Sequence, residues 1–536
     1  GRDDHKVSVP IGRLPVQRSR QVEIFLGEVF FDVVVLNGRF FLVDELHLFR
    51  HDVHSRDMVV LAQQDSNGQA DVACTRDSDV QFFECSHGFR SYDTTIKCST
   101  ASVLLYHEAG RTASKDKQKQ KRKCIMEELK NIKVALLGSG TVGTGVYKLI
   151  ERQREELPHK VGAGLTVSKV LVRDKNKKRE GIDPSVLTDQ WEDIITDDEI
   201  QIVVEVMGGI EPARTYITEA LQAGKNVVTA NKDLMAVHGG ELLDIASHNG
   251  CDLLFEASVA GGIPIIRPLK QCLAGNYISE AMGIVNGTTN FILTKMTHEG
   301  MEFDEALALA TELGYAEADP TADIEGYDAG RKMAIMASIA FNSRVTFNDV
   351  YTEGITNITA KDIKYAEAMG CTIKLLGVAK NTESGIEVRV HPMLIPSDHP
   401  LATVNDSFNA VFVHGDAVDD AMFYGRGAGE LPTASAVVGD VIDVVRDTQY
   451  HCTGRISCTC YRTTPVKNFK NVKNKFFLRM QVENKPGVLA SIAMVFGVHK
   501  VSITKVMQKE QCENADVAEL VIVTEAVKES QMLDSL

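Results

Sequence analysis

From Ile132 onward, short apolar runs alternate with stretches of helical spacing. Lys133–Leu137 reads as a strand, Thr141–Arg154 as a helix, Leu165–Val172 as a second strand and Ile202–Val206 as a third. Thr215–Ala223 then reads as a helix and Asn226–Thr229 as a strand. Strands alternating with helices imply βαβ units and a mostly parallel sheet, because a parallel pair needs a long return connection. Around Leu253–Pro264 the rhythm gives way to Gly-rich turns, and residues 265–424 mix helices with strands. Phe476–Thr524 reads strand–helix–strand–strand.

Residues 1–125 do not share this patterning. Apolar stretches such as Val22–Leu36 sit among Asp, Arg and His without a stable period, and position 1 is not Met. Lys115–Lys123 is a basic run with nothing apolar to bury, which reads as a solvated linker more economically than as a nucleic-acid arm. Met126 opens a short charged lead into a strong strand, so the functional fold is expected to start near it.

Composition adds exclusions. With 536 residues, 44% hydrophobic and 24% charged, the chain is ordinary globular material. At roughly 150 residues per domain its length suggests about three or four domains. Fifty-eight basic against 73 acidic residues leave −15, which repels nucleic acid and anionic membranes alike. No window reaches about 18 uninterrupted apolar residues, so no membrane span is expected. Eleven Cys are too sparse for a disulfide scaffold, and they read as reduced thiols of a cytoplasmic protein. Cys452, Cys458 and Cys460 lack the paired C-x2-C spacing of a zinc site.

Gly138-Ser139-Gly140-Thr141-Val142-Gly143 is G-x-G-x-x-G between a strand and a helix. The first Gly permits a tight turn, the second lets backbone approach a pyrophosphate, and the third lets helix and strand pack closely. The second strand ends in Arg173-Asp174. The acid would suit the ribose 2′-hydroxyl of NAD and the Arg the 2′-phosphate of NADP, so both cofactors stay open. Glu205-Val206-Met207-Gly208-Gly209 ends a strand in small residues against which a nicotinamide could lie.

Thr229-Ala230-Asn231-Lys232 sets a Lys at the carboxyl end of a strand, where open α/β sheets bind ligands. Downstream, Asp319-Pro320 signals a turn and Asp323 a helix N-cap region. Asp328 and Lys332 are four apart, hence on one helix face. The bland alternative is a surface ion pair. Met333–Ala340 continues as an apolar helix, however, which places the pair in the interior, where a charge needs a purpose.

The stretch Gly314–Lys332 resembles the signature of homoserine dehydrogenase. The resemblance includes G-x-G-x-x-G, T-A-N-K at Thr229–Lys232, Glu256–Pro264, Asn286–Asn290 and Gly425–Gly429 with Pro432-Thr433-Ala434, and spans about residues 127–450. It implies NAD(P)-dependent interconversion of aspartate semialdehyde and homoserine, on the route to threonine, methionine and isoleucine. It also implies Lys332 as proton donor and Lys232 as a second reaction-centre lysine. Gly314, Glu317 and Asp328 would bind substrate, and Asn286, Gly287 and Thr288 would form the crossing into the substrate domain. Gly138, Gly140, Thr141, Val142, Gly143, Arg173, Lys232 and Gly429 would hold the cofactor. Backbone carbonyls of Glu256, Val259, Gly261 and Ile263 would hold a monovalent cation, usually sodium.

The implied architecture is α/β. It has a Rossmann-like dinucleotide-binding domain over residues 126–257 and an α+β substrate-binding and dimerisation domain over 258–424. A return segment covers 425–450, a linker 451–475, and an incomplete ferredoxin-like ACT domain 476–536. The ACT resemblance rests on Phe477–Val482 followed by Glu483–Leu489, with a helix at Val488–Phe496 and strands at Val501–Met507 and Val517–Thr524. It implies threonine binding, with one sheet edge left unpaired. A homodimer or higher homo-oligomer is implied, with no nucleic-acid or membrane partner. Two rivals are another Rossmann-fold amino-acid dehydrogenase, against which Gly314–Lys332 argues, and a non-catalytic ACT-type sensor, which would have no need of Lys232, Asp328 and Lys332.

Overall fold

The structure, a computed structural model, describes residues 131–508 and 516–536 and the backbone of six strands between Gln21 and Phe83. Those six are β1 Gln21–Leu26, β2 Val29–Leu36, β3 Arg39–Leu42, β4 Val59–Gln64, β5 Ala70–Arg76 and β6 Asp79–Phe83. They pair antiparallel in sequential order, within a unit of its own, residues 1–124. So where the sequence shows no stable period, the backbone is nonetheless extended. The basic run Lys115–Lys123 and Met126 lie outside the described residues.

The second unit begins with a parallel sheet of β7 Asn131–Leu137, β8 Gly164–Leu171, β9 Leu187–Thr188, β10 Ile200–Glu205, β11 Asn226–Thr229 and β12 Leu253–Leu254. Their order is β12-β11-β10-β7-β8-β9. The chain winds one way from β7 to β8 and the other way to β10, so the crevice for ligand opens between β7 and β10 at their carboxyl ends. Helices cover both faces, which is why these strands are almost continuously apolar. On one face, Ile132, Val134 and Leu136 pack with Val146 and Ile150 of the helix Thr141–Arg152. Val437, Val441, Val444 and Val445 of Glu430–Gln449, far along the chain, complete that layer.

The next sheet contains β13 Ile278–Ile284, β14 Tyr351–Thr352, β15 Cys371–Thr382, β16 Gly385–Pro396, β17 Phe408–Gly415 and β18 Asp419–Arg426. Its order is β14-β16-β15-β13-β17-β18, antiparallel except for β14 with β16. Helix Tyr327–Ala340 lies close upon it. A Cβ on Gly377 of β15 would sit 2.3 Å from Met333 Cγ, so glycine permits the approach. The bulk of the core joins this helix, Gly287–Glu299 and the second face of the parallel sheet.

β19 Lys473–Asn474 pairs with β23 Val527–Lys528, and β20 Phe477–Glu483, β21 Ile503–Gln508 and β22 Val517–Thr524 form a three-stranded sheet in the order β20-β22-β21. The helix Val488–Val498 connects β20 to β21. Arg479 ties this module to the helix Ala360–Ala368, donating to Asp362 Oδ1 at 2.6 Å, and Tyr365 of that helix donates to Glu519 Oε1 at 2.7 Å.

Candidate active site

The dinucleotide turn assigns each glycine a different task. Gly138 has φ +106°, in the region glycine favours, and its N–H donates to Leu171 O at 3.0 Å. A Cβ on Gly143 would stand 2.2 Å from Gly138 O, so only glycine lets the helix start press on the turn. A Cβ on Gly140 would meet nothing within 4 Å. That side is open, and no side chain caps the helix Thr141–Arg152, so the amides of its first turn, Thr141 and Val142 among them, keep their donors for an anion. These residues fit a dinucleotide. Gly145 brings a second helix N-terminus against this one: a Cβ there would lie 2.7 Å from Glu430 O, next to Gly429 at φ +126°.

Arg173 is exposed just beyond β8. Asp174 is turned into its own loop, its carboxylate accepting from Asn176 N at 2.9 Å. The sequence reading passed over Arg179, which donates through Nε to Ser139 Oγ in the glycine turn at 2.6 Å and through Nη1 to Asp174 O at 2.9 Å. A basic residue eight positions after the strand carries no positional signature.

Across the crevice, Glu205 is fully buried at the end of β10. It accepts from Met207 N at 2.7 Å and Gly208 N at 3.2 Å on one oxygen, and from Thr229 Oγ1 at 2.6 Å on the other. One carboxylate thus fixes the Met207–Gly209 turn and joins β10 to β11. Asn231 continues the chain of contacts. It caps the helix Lys232–His248 by accepting from Leu234 N, and its amide donates to Gly209 O at 2.7 Å. Lys232 is therefore held at the helix start by a rigid strand–cap junction.

Lys232, Asp328 and Lys332 meet: helical spacing predicts the Asp328–Lys332 contact, and the family resemblance implies Lys232 beside them. Lys232 Nζ lies 2.7 Å from Asp328 Oδ1, and Lys332 Nζ 2.7 Å from Asp328 Oδ2. Lys332 also donates to Val285 O at 2.7 Å. The Asp328 side chain is 6% exposed, Lys332 12% and Lys232 36%. Burial alone would raise the Asp328 carboxyl. The ammoniums of Lys332 and Lys232 outweigh it and hold it well below the usual carboxylate range. Burial pulls the Lys232 ammonium down, and Asp328 more than restores it, leaving it raised.

Asn286 does more than the crossing its small neighbours suggest. It caps the helix Gly287–Glu299, accepting from Thr289 N at 2.8 Å, while its amide donates to Asp328 Oδ2 at 2.9 Å and Asp323 Oδ1 at 2.7 Å. The N-cap expected at Asp323 falls instead to Gly326, at φ +81°, because Asp323 lies inside a short helix of its own, Thr321–Ile324, and its side chain accepts from Asn286. Burial, then the Asp328 charge, push the Asp323 carboxyl up against that hydrogen bond. Gly314, at φ +75°, and Glu317 lie exposed on one loop, tethered where Thr288 Oγ1 donates to Tyr315 O at 2.7 Å. Glu317 forms no ion pair among the described residues.

The Glu256–Ile263 segment bends sharply: Ala260 and Gly261 are successive left-handed residues, at φ +55° and +54°. A Cβ on Gly261 would stand 2.1 Å from Gly427 O. The Glu256 carboxylate is consumed by the N–H groups of Ile265, Ile266 and Arg267, so what Glu256 can offer a cation is its carbonyl. Glu256 N in turn donates to Asp440 Oδ2 at 2.8 Å, and Asp440 pairs with Arg267, joining the loop to the returning helix. Among the described residues no group of three or more His, Cys, Asp or Glu is placed to hold a metal ion. No described helix is long and apolar enough to cross a membrane.

Comparison with known proteins agrees with this geometry. Residues 138–256 match the family model of the homoserine dehydrogenase NAD binding domain, and residues 264–442 that of homoserine dehydrogenase. The homoserine dehydrogenase of Bacillus subtilis is 47% identical over 409 residues, covering 76% of this chain and 94% of its own length. The crystal structure of a homoserine dehydrogenase from Thiobacillus denitrificans matches with a TM-score of 0.72 at 42% identity, over 76% of this chain and 94% of that one. A hyperthermophilic archaeal homoserine dehydrogenase in complex with NADPH matches with a TM-score of 0.50 at 28% identity, over 59% of this chain and 97% of its own. With the glycine turn and the two lysines bridged by one carboxylate inside the matched region, the chain belongs to the homoserine dehydrogenase family, NAD(P)-dependent oxidoreductases acting on a CH–OH group.

Proposed function

We propose that, in reducing L-aspartate 4-semialdehyde to L-homoserine, this chain uses Lys332 as the proton donor to the carbonyl oxygen and Lys232 as a second cation at the reacting group. The observation that carries this is the single buried carboxylate shared by two ammoniums. An ammonium has three N–H donors. Lys332 spends one on Asp328 and one on Val285 O, which leaves one for a substrate oxygen. A bound reduced nicotinamide supplies a hydride. The oxygen then gains negative charge, which a prepositioned ammonium stabilises and quenches with its proton. Lys232, Lys332 and Asn286 occupy most of the Asp328 lone pairs, so Asp328 chiefly aims the lysines, with one direction on Oδ1 left for the substrate ammonium. Glu317 and Gly314, on their exposed loop, would complete that recognition.

NADP is the favoured cofactor. Lys175, Lys177 and Lys178 stand with Arg173 and Arg179 beyond β8, while Asp174 is engaged in its own turn, and the archaeal relative was solved with NADPH. The Glu256, Val259, Gly261 and Ile263 carbonyls would hold sodium at the domain junction. Dimerisation would use the substrate domain, where Met422 and Tyr424 of the edge strand β18 are exposed. Threonine would act at the C-terminal module, and no inhibition at millimolar threonine would remove that part.

The deciding test is initial rates with the semialdehyde and each cofactor for the wild type and Lys332→Ala. The variant should lose about 10²- to 10⁴-fold in kcat, the range of a general acid, with cofactor affinity nearly unchanged. Equal turnover would refute the role of Lys332.

A further inference from the structure

Outside the site, one cluster of reactive groups has no part in the reaction. After the helix Glu430–Gln449 the chain returns along the substrate domain as an irregular strap. Arg462 N donates to Asn342 O at 2.8 Å, Ile386 N to Pro465 O at 2.9 Å and Lys467 N to Ile386 O at 2.7 Å. Thus pinned, the strap presents Cys458 and Cys460 to a cavity of about 70 Å³, which Lys270 and Arg344 also line. Both thiols line this one cavity from positions two apart on the strap, and Cys460 Sγ lies 3.7 Å from Ser338 O. Both cysteines are partly exposed. Gly240 of the helix Lys232–His248 makes room for the Arg344 guanidinium at the cavity wall, since a Cβ there would stand 2.0 Å from Arg344 Nη2.

We propose that Cys458 and Cys460 form a redox dithiol, in which a hydroperoxide oxidises Cys458 and Cys460 closes an intramolecular disulfide. The Cys458 thiolate attacks the distal peroxide oxygen. The S–O bond forms, the O–O bond breaks, and the leaving alkoxide or hydroxide takes a proton from solvent. The Cys460 sulfur then displaces hydroxyl from the Cys458 sulfenic acid, and its thiol proton leaves with that hydroxyl as one water, so two thiols give two electrons to the peroxide. The surroundings support Cys458 as the attacking sulfur. The neighbouring Cys460 thiol pulls the Cys458 thiol down to about 6 against the effect of burial, with Lys270 and Arg344 adding to the pull. Cys460 is raised by the same contact. Lys270 also faces Phe255, 5.6 Å from its ring centroid, and feels Asp440 and Glu256 from the neighbouring helix and loop.

The test needs no variant to begin. At about pH 6 roughly half of Cys458 is thiolate, against about 0.3% of an ordinary thiol. Its lower basicity removes about 13-fold of that advantage, which leaves about tenfold. In the full chain, timed iodoacetamide labelling read by peptide mass spectrometry should therefore find Cys458 about tenfold faster than exposed Cys272 at that pH, with its rate levelling off as pH rises while that of Cys272 climbs. Hydrogen peroxide should then yield a Cys458–Cys460 disulfide peptide in the wild type. In Cys460→Ser it should leave a sulfenic acid at Cys458 that dimedone traps. Labelling of Cys458 no faster than Cys272, or peroxide oxidation that spares the pair, would overturn the proposal.

Discussion

Replacing Asp328 by Asn keeps the shape of the residue that joins Lys232 to Lys332 and removes its charge. At an effective dielectric of about 20, the 2.7 Å contact of Lys332 with Asp328 is worth about 6 kcal/mol before desolvation. Orphaning one member of a buried pair costs about 3–5 kcal/mol in practice. The contribution of Lys232 is discounted, since its side chain is 36% exposed. A loss of about 3 kcal/mol, at about 2 °C per kcal/mol for a chain this large, lowers the melting temperature by about 6 °C. The pH profile carries the more specific signature. Burial pulls Lys232 down and Asp328 lifts it, so without Asp328 its ammonium deprotonates at lower pH. Turnover of Asp328→Asn should fall by about 10²-fold or more, and what remains should decline with rising pH earlier than in the wild type. Stopped-flow or steady-state rates across pH, beside thermal melts followed by circular dichroism, measure both. A variant that melts like the wild type and keeps its alkaline limb would refute the shared-carboxylate reasoning.

The glycine turn separates binding from folding. Gly140→Ala meets nothing within 4 Å, so its melting temperature should match the wild type while KM for the cofactor rises about tenfold or more; an unchanged KM would mean the open side is not where phosphate lies. Gly143→Ala presses on Gly138 O and should lower both stability and cofactor affinity, with equal melts counting against the packing argument. For Asp440, burial and then Glu256 push the carboxyl up to about 7 despite Arg267. A carboxyl that binds its proton more tightly when folded gives stability at low pH that is lost between the unfolded carboxylate pKa and about 7. Asparagine does not titrate, so the Asp440→Asn melting temperature should improve relative to wild type as pH rises from about 4 to about 7, and a constant difference would refute the assignment. Exchange of sodium for a bulky organic cation should reduce turnover if the Glu256–Ile263 carbonyls bind a metal ion, and no change would remove that site.

Spacing within one element is what made much of the site readable. Gly138, Gly140 and Gly143 belong to one turn, and Asp328 and Lys332 to one helical face, so local periodicity brings them together. Asn226–Thr229 matches its strand because three consecutive β-branched residues, Val227, Val228 and Thr229, end just before the helix cap Asn231. What lay hidden was long-range pairing. Asn286 reaches Asp323 and Asp328 across 37 and 42 residues, and Glu256 N meets Asp440 across 184. No period records such a contact, and Asn or Asp at those positions would suit a solvated loop equally well. Glu205 was read as the end of a strand. Its burial follows from the Thr229 hydroxyl on the adjacent strand, which only the sheet order supplies.

The apolar layer that Val437, Val441, Val444 and Val445 supply to the nucleotide sheet has a consequence for biosynthesis. A ribosome that has made every strand of that sheet still has more than 180 residues to translate before the first of these valines emerges, since β12 ends at Leu254 and the first valine is Val437. Through that interval Ile132, Val134, Val146 and Ile150 lack their cover, so the nascent chain is a natural client for chaperones. Fragments ending before Glu430 should aggregate rather than yield an isolated nucleotide-binding domain.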